Sequence, residues 1–544
     1  MRRFILLLII GLAPGLAWGG SPKLAKDLDH GVDRVDVIIQ FKSHPTGKDL
    51  DSVRGRGGEF KAELPLVKGA LFSMPAPALK GLANNPAITY VSPDREVSGA
   101  LDYTSAAVGS DVAHSYGFDG SGIGVAIIDS GIYESRDLTQ NRTAPTSVVY
   151  AENFLVTKGK KIDAAATEDL YTHGTHVAGI VAGDGMALSS LKYRGTAPGA
   201  SLISLRVLDG NGKGTDSAVI SAIQRAIELK DTYNIRVINL SLGRQVEESY
   251  TLDPLCQAVE QAYAAGIVVV ASAGNEGRNN SANTHGYGTV SSPGNDPYVI
   301  TVGATKSLDT IGSSDDLIAS FSSKGPTRLD HVIKPDLVAP GNKVVSIRSK
   351  YGSLSNNNSE NIVSTYYFRV SGTSMAAPVV SGAVALMLDK DPTLTPDQVK
   401  ARLMKTASKN FPTTSTATDP VTGELYTSQY DIFTIGAGSL DIAAALNNSD
   451  TGDGVALSPT AIYDEETGQV SLVHGNGMVW GDGVIWSDGI IWGDGMVWGD
   501  GVIWGDGVIW SDGVIWSDGV IWSDGVMWSD GVIWSDGLAL LGED

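Results

Sequence analysis

The sequence predicts an α/β fold: a parallel β-sheet flanked by helices, preceded by a small α+β unit and followed by a β-solenoid-like repeat. Three observations carry this reading. First, short β-branched apolar runs recur between residues 102 and 447, such as "GVAIIDSG", "SLISLRVLD", "RVINLSLG", "GIVVVASAGN" and "YVITVGA". Second, they alternate with helical stretches such as "DSAVISAIQRAIELKDTY". Continuous apolar strands separated by helices indicate a parallel sheet covered on both faces. Third, Trp recurs every six residues from Trp480 to Trp534, ten times, with Asp in step from Asp482 to Asp536.

Taken in order, residues 1–20 read as a secretory signal. Arg2 and Arg3 form the charged start, Phe4 to Leu12 the apolar run, and Ala17, Gly19 and Gly20 offer small residues for cleavage. The run is too short to favour a spanning helix. No other uninterrupted apolar stretch reaches spanning length, so export to the medium or the cell surface is expected. Residues 21–100 form the small α+β unit. "RVDVIIQF" (Arg34–Phe41) alternates like a strand, and "ALFSM" and "AITYVSPDREV" read as further strands, with "APALKGLANN" a short helix between them. Residues 101–447 are the main α/β domain, and 448–477 a polar, Gly-containing connector.

Residues 478–544 hold the repeat. Each hexad runs Trp, Gly or Ser, Asp, Gly, then two aliphatic residues. "SDG" or "GDG" is a turn signal and "VIW" a short β-favouring run. Regular alternation of the two suggests stacked, quasi-identical units. Stacking would align Asp carboxylates, whose repulsion must be relieved by solvent, turn N–H groups or cations. The nonapeptide Ca²⁺-binding repeat is not matched. Apart from Trp18, every Trp lies in this tail, so tryptophan fluorescence of an exported form would report on the repeat alone.

The chain has 544 residues, 42% hydrophobic and 19% charged, an ordinary globular composition. Its formal net charge is −21, but no Lys or Arg follows Lys409, and residues 410–544 hold 21 Asp and Glu. The preceding part is therefore balanced. No basic patch suggests nucleic acid as a partner. Cys256 is the one cysteine, so no intrachain disulfide can form. It lies on a predicted helix before a buried strand, where a structural thiol is expected.

Three segments bring chemistry-bearing residues to element ends. "VAIIDSGI" puts Asp129 at the end of a strand. "HGTHVAG" puts His173 where a Gly-Thr step enters an apolar helix, and "SGTSMAAP" puts Ser374 at the start of another. In open α/β sheets, ligands bind beyond the C-terminal strand ends. A serine hydroxyl is a weak nucleophile that needs a base within reach, and the base needs a partner to fix its tautomer. Taken singly, Asp129 reads equally as a strand-end cap, Ser374 as an N-cap and Asn275 as a turn residue.

The exact local sequences decide more than the spacing. "DSGI", "HGTHVAG" and "GTSMAAP", with "SLG" at Ser241–Gly243 and "ASAGNEG" around Asn275, resemble the subtilisin-like serine proteases. The resemblance covers roughly residues 110–447, through the closing "GAGSLDIAAAL". It implies a serine endopeptidase acting on polypeptide substrates through an acyl-enzyme. His173 is then the general base, Asp129 its orienting partner and Ser374 the nucleophile. Asn275 and the Ser374 backbone N–H are the oxyanion donors, and removing one such donor in the family costs about 100- to 1,000-fold in rate.

The resemblance also implies that Ser241, Leu242 and Gly243 pair with an extended peptide, a strand-addition mode. The "GNGKGT" loop (Gly210–Thr215), with Gly212 and Gly214, lies on the peptide's other side. Ser241–Gly243 and Ala273–Asn275, Gly274 included, wall the first pocket, with Ser291 a candidate at its base. No acid is evident there, which favours bulky apolar over basic side chains. His176 reads as a packing histidine, because the i, i+3 spacing and the intervening Gly and Thr do not fit a zinc helix. An esterase of the α/β-hydrolase type is disfavoured, since "GTSMA" is not G-x-S-x-G.

Residues 21–100 resemble the family's inhibitory propeptide, which implies self-cleavage within Glu96–Tyr103 and the propeptide as an intrinsic partner. A permanently attached accessory domain is the plainer alternative. The chemistry needs no cofactor and no metal ligands are assigned. Structural Ca²⁺ is frequent in relatives, but no site is matched residue by residue. The tail's partner is unknown; a stability module, a surface-attachment or secretion element, a glycan-binding surface and an aggregation-prone low-complexity segment compete. A different class of function also competes: a secreted surface-binding protein whose repeat does the work while the protease domain only processes itself.

Overall fold

The computed structural model describes residues 23–24, 28, 33–64, 68–93, 107–138, 146–157, 160–161, 167–188, 193–281, 283–308, 310, 315–419, 423–450, 454–464, 469–473, 479–480 and 484–485. The expected signal, the expected cleavage window and nearly all of the repeat lie outside these residues. The chain divides into two units, 1–98 and 99–544.

The first unit is an antiparallel sheet of four strands in the order β2-β3-β1-β4: β1 Arg34–Phe41, β2 Glu59–Leu64, β3 Gly69–Pro75 and β4 Ile88–Pro93. The alternation in β1 buries Val37, Ile39 and Phe41 against Phe72 and Met74 of β3 and Val91 of β4. Helices α1 (Gly47–Arg54) and α2 (Leu79–Leu82) add Val53, Leu79 and Leu82 to the same core. Helix α1 and strand β2 were not among the expected elements. The helix start is a local signal: the Asp49 carboxylate accepts the Thr46 N–H at 2.9 Å and the Thr46 hydroxyl at 2.6 Å.

The second unit is the expected sheet, largely parallel. Its strands are β5 Gly124–Asp129, β6 Val148–Asn153, β7 Ser201–Arg206, β8 Ile235–Leu240, β9 Val268–Ser272, β10 Ile300–Lys306, β11 Leu317–Ile318 and β12 Leu337–Pro340. They run in the order β11-β10-β9-β8-β5-β7-β6, with β12 also on β10. Only β11 runs antiparallel to its neighbour. The pleat of β5 sends Val125 and Ile127 to one face and Ala126 and Ile128 to the other, so two cores form. One face is covered by helix α3 (His173–Ala182); α4 (Asp216–Tyr233) and α5 (Pro254–Ala264) cover the second. The first face also takes α6 (Thr373–Lys390). All ten residues of α3, and α6 from Thr373 to Leu388, are buried, which is why both read as apolar on every side. Strand β5 lies where the order reverses, between β8 and β7, so its C-terminal end opens into the crevice of the sheet.

The stretch expected as a connector, 448–477, is in part packed chain. Ala456 and Ser458 are buried, the Ile333 N–H donates to the Pro459 carbonyl at 2.8 Å, and the Ala461 N–H donates to that of His331 at 2.8 Å. Its polar composition hides an anchor. Ser458 Oγ donates to Asp336 Oδ1 at 2.5 Å and accepts from Lys400 Nζ at 2.8 Å. Lys334 Nζ lies 2.7 Å and Lys400 Nζ 3.2 Å from the same buried carboxylate. Removing the shared anion would strand two buried ammonium groups, at a cost of about 3–5 kcal/mol. Asp336→Asn, made with Ser374→Ala to prevent self-digestion, is therefore expected to lose that stability in urea unfolding. An unchanged midpoint would show the cluster to be energetically idle.

Candidate active site

Asp129 closes β5 with its side chain fully buried, and its Oδ1 accepts the Ser130 N–H at 2.7 Å. His173 is the first residue of α3, and its Nδ1 lies 2.8 Å from Asp129 Oδ1 and 2.9 Å from Oδ2. Their meeting depends on Gly174. A Cβ there would stand 2.3 Å from the Gly131 carbonyl and 3.1 Å from Asp129 Oδ1. Burial works against the imidazolium of His173, but the charge and hydrogen bond of Asp129 outweigh it, and its pKa is raised.

Sequence reasoning missed the group that holds this pair in place. The buried Asp169 carboxylate accepts five hydrogen bonds: from Ser130 Oγ at 2.9 Å, the N–H groups of Tyr171, Thr172 and Thr175 at 2.9, 2.8 and 2.9 Å, and Thr175 Oγ1 at 2.5 Å. Ser130 Oγ in turn accepts the Gly174 N–H at 2.9 Å. The carboxylate thus joins the end of β5 to the first turn of α3. Thr172, between them, has φ +100°, a conformation a β-branched residue rarely adopts. An acid and a threonine just ahead of an apolar helix were the available signal.

Ser374 is the second residue of α6, whose first-turn amides lack intrahelical acceptors. Its Oγ donates to the Ser241 carbonyl at 3.1 Å, while Ser241 Oγ donates to the Ser374 carbonyl at 2.8 Å. The resemblance implies this hydroxyl on the imidazole; here its proton is held by the neighbouring strand end instead. Asn275 Oδ1 accepts the Thr373 N–H at 2.8 Å, which leaves its amide nitrogen as the group not used in that bond. The Gly274 N–H donates to Thr373 Oγ1 at 3.1 Å, so the segment Ala273–Asn275 is tied to the start of α6.

Ser291 lies between the two segments expected to wall the first pocket. A Cβ on Gly243 would come 2.5 Å from its Oγ, and one on Gly274 3.2 Å. The Gly210–Thr215 loop is closed by Asp209, whose Oδ1 accepts the Asn211 and Lys213 N–H groups at 2.8 and 3.0 Å. Gly212, at φ +73°, lies against Tyr171, whose ring is 6.3 Å from that of His173. Gly214 packs on the Val207 carbonyl, 2.5 Å from where its Cβ would be. Leu242 is half-buried and Ala273 buried. Among the described residues no group of three or more His, Cys, Asp or Glu is arranged to hold a metal ion.

The second histidine of the motif has a different environment. His176 is fully buried, with Nε2 3.0 Å from the Phe368 carbonyl, and burial pushes its pKa down to about 3. Between that value and the ordinary one near 6.5, the unfolded chain takes up a proton that the native state refuses, so stability falls as pH falls through this window. In a Ser374→Ala protein, imidazole ¹⁵N shifts should show His176 neutral from pH 7 to 4 while His173 titrates above 6.5. An imidazolium signal for His176 at pH 5 would contradict this assignment.

The subtilase family's sequence profile matches residues 120–425. The chain is 34% identical over 389 residues to serine protease AprX of Bacillus subtilis (strain 168), covering 69% of this chain and 83% of that protein. It is 34% identical over 379 residues to subtilisin E of the same strain, covering 68% and 84%. To subtilisin DY of Bacillus licheniformis it is 37% identical over 299 residues, covering 55% and 88%.

Proposed function

The chain belongs to the subtilase family and is a serine-type endopeptidase, and from that premise we propose that Asp129, His173 and Ser374 are its catalytic residues. The observation that carries the assignment is the buried Asp129–His173 pair, joined at 2.8 and 2.9 Å. With Nδ1–H held by the carboxylate, Nε2 keeps its lone pair for the serine proton. An extended peptide pairing with Ser241–Gly243 brings N–H groups that compete for the Ser241 carbonyl. The Ser374 hydroxyl is then released from that acceptor and swings about χ1 toward Nε2.

Ser374 Oγ attacks the scissile carbonyl as its proton passes to His173 Nε2. The carbonyl oxygen becomes an oxyanion, which the Asn275 side-chain amide and the Ser374 N–H stabilise at the positive end of α6. The C–N bond breaks as Nε2 returns the proton to the leaving amine, giving an acyl-enzyme. Water then loses a proton to Nε2 and attacks the ester, and the proton returns to Ser374 Oγ as the acid departs. Each proton moves among side chains, the leaving amine and water. No step is routed through a metal, and no Ca²⁺ ligand set is assigned.

The finer reading is a secreted, self-processed precursor. It is supported by the signal-like residues 1–20, by the compact first unit ahead of the catalytic domain, and by the resemblance of that unit to an inhibitory propeptide. No helix among the described residues is long and apolar enough to cross a membrane.

The test compares wild type with Ser374→Ala, both lacking residues 1–20, by intact mass over time with casein present. Wild type should cut within residues 96–103 and degrade casein, and the mutant should do neither. If wild type processes itself but spares casein, the protease acts only on its own chain, and the repeat becomes the functional module. Asp129→Asn should lower kcat by about 10⁴-fold. Because the base must be neutral and its pKa is raised, kcat/KM should climb with pH through a value above 6.5. That limb should move down in Asp129→Asn.

A further inference from the structure

Arg244 directly follows the strand end Ser241–Gly243, and its guanidinium reaches two acids on two other elements. Nε donates to Asp216 Oδ1 and Oδ2 at 3.0 and 2.9 Å. Nη2 donates to Asp253 Oδ1 at 2.7 Å. Asp216 is the first residue of α4, immediately after the Gly210–Thr215 loop. Asp253 is the N-cap of α5, with its side chain wholly buried, and its other oxygen accepts from Ser292 Oγ at 2.7 Å.

The backbone closes the circuit. The Arg244 N–H donates to the Ser292 carbonyl at 2.9 Å, and the Ser292 N–H donates to that of Arg244 at 2.7 Å. Ser291, one residue earlier, stands between Gly243 and Gly274. One planar fork therefore ties the residue after the strand end to Asp216, the residue after the loop, and through Asp253 and Ser292 to the neighbour of Ser291. A lysine could not do this, because an ammonium is a point donor on a flexible stem.

We propose that Arg244 is a positioning residue that sets the spacing of the peptide groove, holding the Gly210–Thr215 loop and the Ser241–Gly243 strand end so that one extended chain fits between them. The proposal rests on the reading of this site as a protease cleft. Its physical basis is the strict spacing of paired strands. A peptide laid between two edges needs about 4.8 Å on each side, and hydrogen bonds weaken steeply once they are stretched or bent. An edge loop free to drift would lose those bonds along the whole peptide. The first pocket and the reacting groups would be little affected. Of the two arms, the one to Asp253 is the buried anchor. The arm to Asp216, 42% exposed, is the adjustable link to the loop.

The experiment uses the full-length precursor, matured, and two substrates. One is an N-acetyl amino-acid ester that fills only the first pocket; the other is a tetrapeptide anilide that runs along the groove. Arg244→Met should raise the peptide KM roughly 10-fold with kcat within about 3-fold, while the ester's constants move far less. Asp216→Asn should raise the peptide KM roughly 3-fold. The double variant should be no worse than Arg244→Met alone, because Arg244→Met already cuts the link to Asp216.

Equal losses on both substrates, an unmoved peptide KM, or independent addition of the two effects would each overturn the proposal. If Arg244→Met fails to fold around the bereft Asp253, Asp216→Asn decides by the same split. Arg244→Lys should fall between wild type and Arg244→Met. Ester hydrolysis that survives Ser374→Ala would instead sink the protease reading, so the two failures are told apart.

Discussion

The buried carboxylate of Asp169 is the constraint on which the reactive pair depends. An anion without solvent is costly, and it persists only where donors surround it. Here five donors do so, and all come from the two segments that must meet: Ser130 at the end of β5, and Tyr171 to Thr175 at the start of α3. Satisfying the charge and joining the segments are one event. The same contacts hold Thr172 at φ +100° just before His173. Strain of this kind, of order 1–3 kcal/mol, survives only where the surroundings over-determine it.

The sheet order explains why so much converges at one place. Strand β5 has neighbours on both sides, and the chain leaves it toward β6 and β7 on one side before crossing to β8. Its end is therefore the natural crevice. Helix α3 begins beside it, and α6 begins against the segments that follow the neighbouring strands β8 and β9, at Ser241 and Gly274–Asn275. Their N-terminal N–H groups answer different needs: those of Tyr171, Thr172 and Thr175, at the start of α3, bind the Asp169 carboxylate, while that of Ser374 is the one proposed to meet the oxyanion.

What could be read from the sequence follows the range of the interactions. The parallel sheet was visible in its β-branched runs, and Asp129, His173 and Ser374 in local motifs whose meaning came from resemblance. Asp169 was not visible because the partner that gives it a role, Ser130, lies 39 residues away. Arg244 escaped for the same reason: Asp216 is 28 residues back, and no periodicity links them. The chain after residue 448 misled by composition. A polar stretch reads as a connector, yet the polarity of Ser458 meets the buried Lys400 and Asp336. In the first unit, α1 goes unread although Thr46 and Asp49 supply its capping signal, and the charged residues of β2 obscure its alternation.

The reciprocal bonds between Ser241 and Ser374 connect binding to chemistry. Each hydroxyl donates to the other's carbonyl, at 3.1 and 2.8 Å. Ser241 Oγ is itself held by Asn239 Nδ2 at 2.9 Å, and Asn239 Oδ1 accepts from Ser381 Oγ at 2.8 Å, one helix turn and more below the nucleophile. The strand end and the helix start are thereby locked to each other by buried polar groups with few alternative partners. On the proposed mechanism the Ser374 hydroxyl moves from the Ser241 carbonyl to His173 Nε2. On that mechanism, a peptide that pairs well with Ser241–Gly243 displaces that bond, and one that pairs poorly does not. Good pairing requires both groove edges at the right spacing, which is where the Arg244 fork acts. The proposed groove geometry, nucleophile release and base orientation thus rest on three polar centres, at Arg244, Ser241 and Asp169, which lie at or bond to the ends of the neighbouring strands β8 and β5.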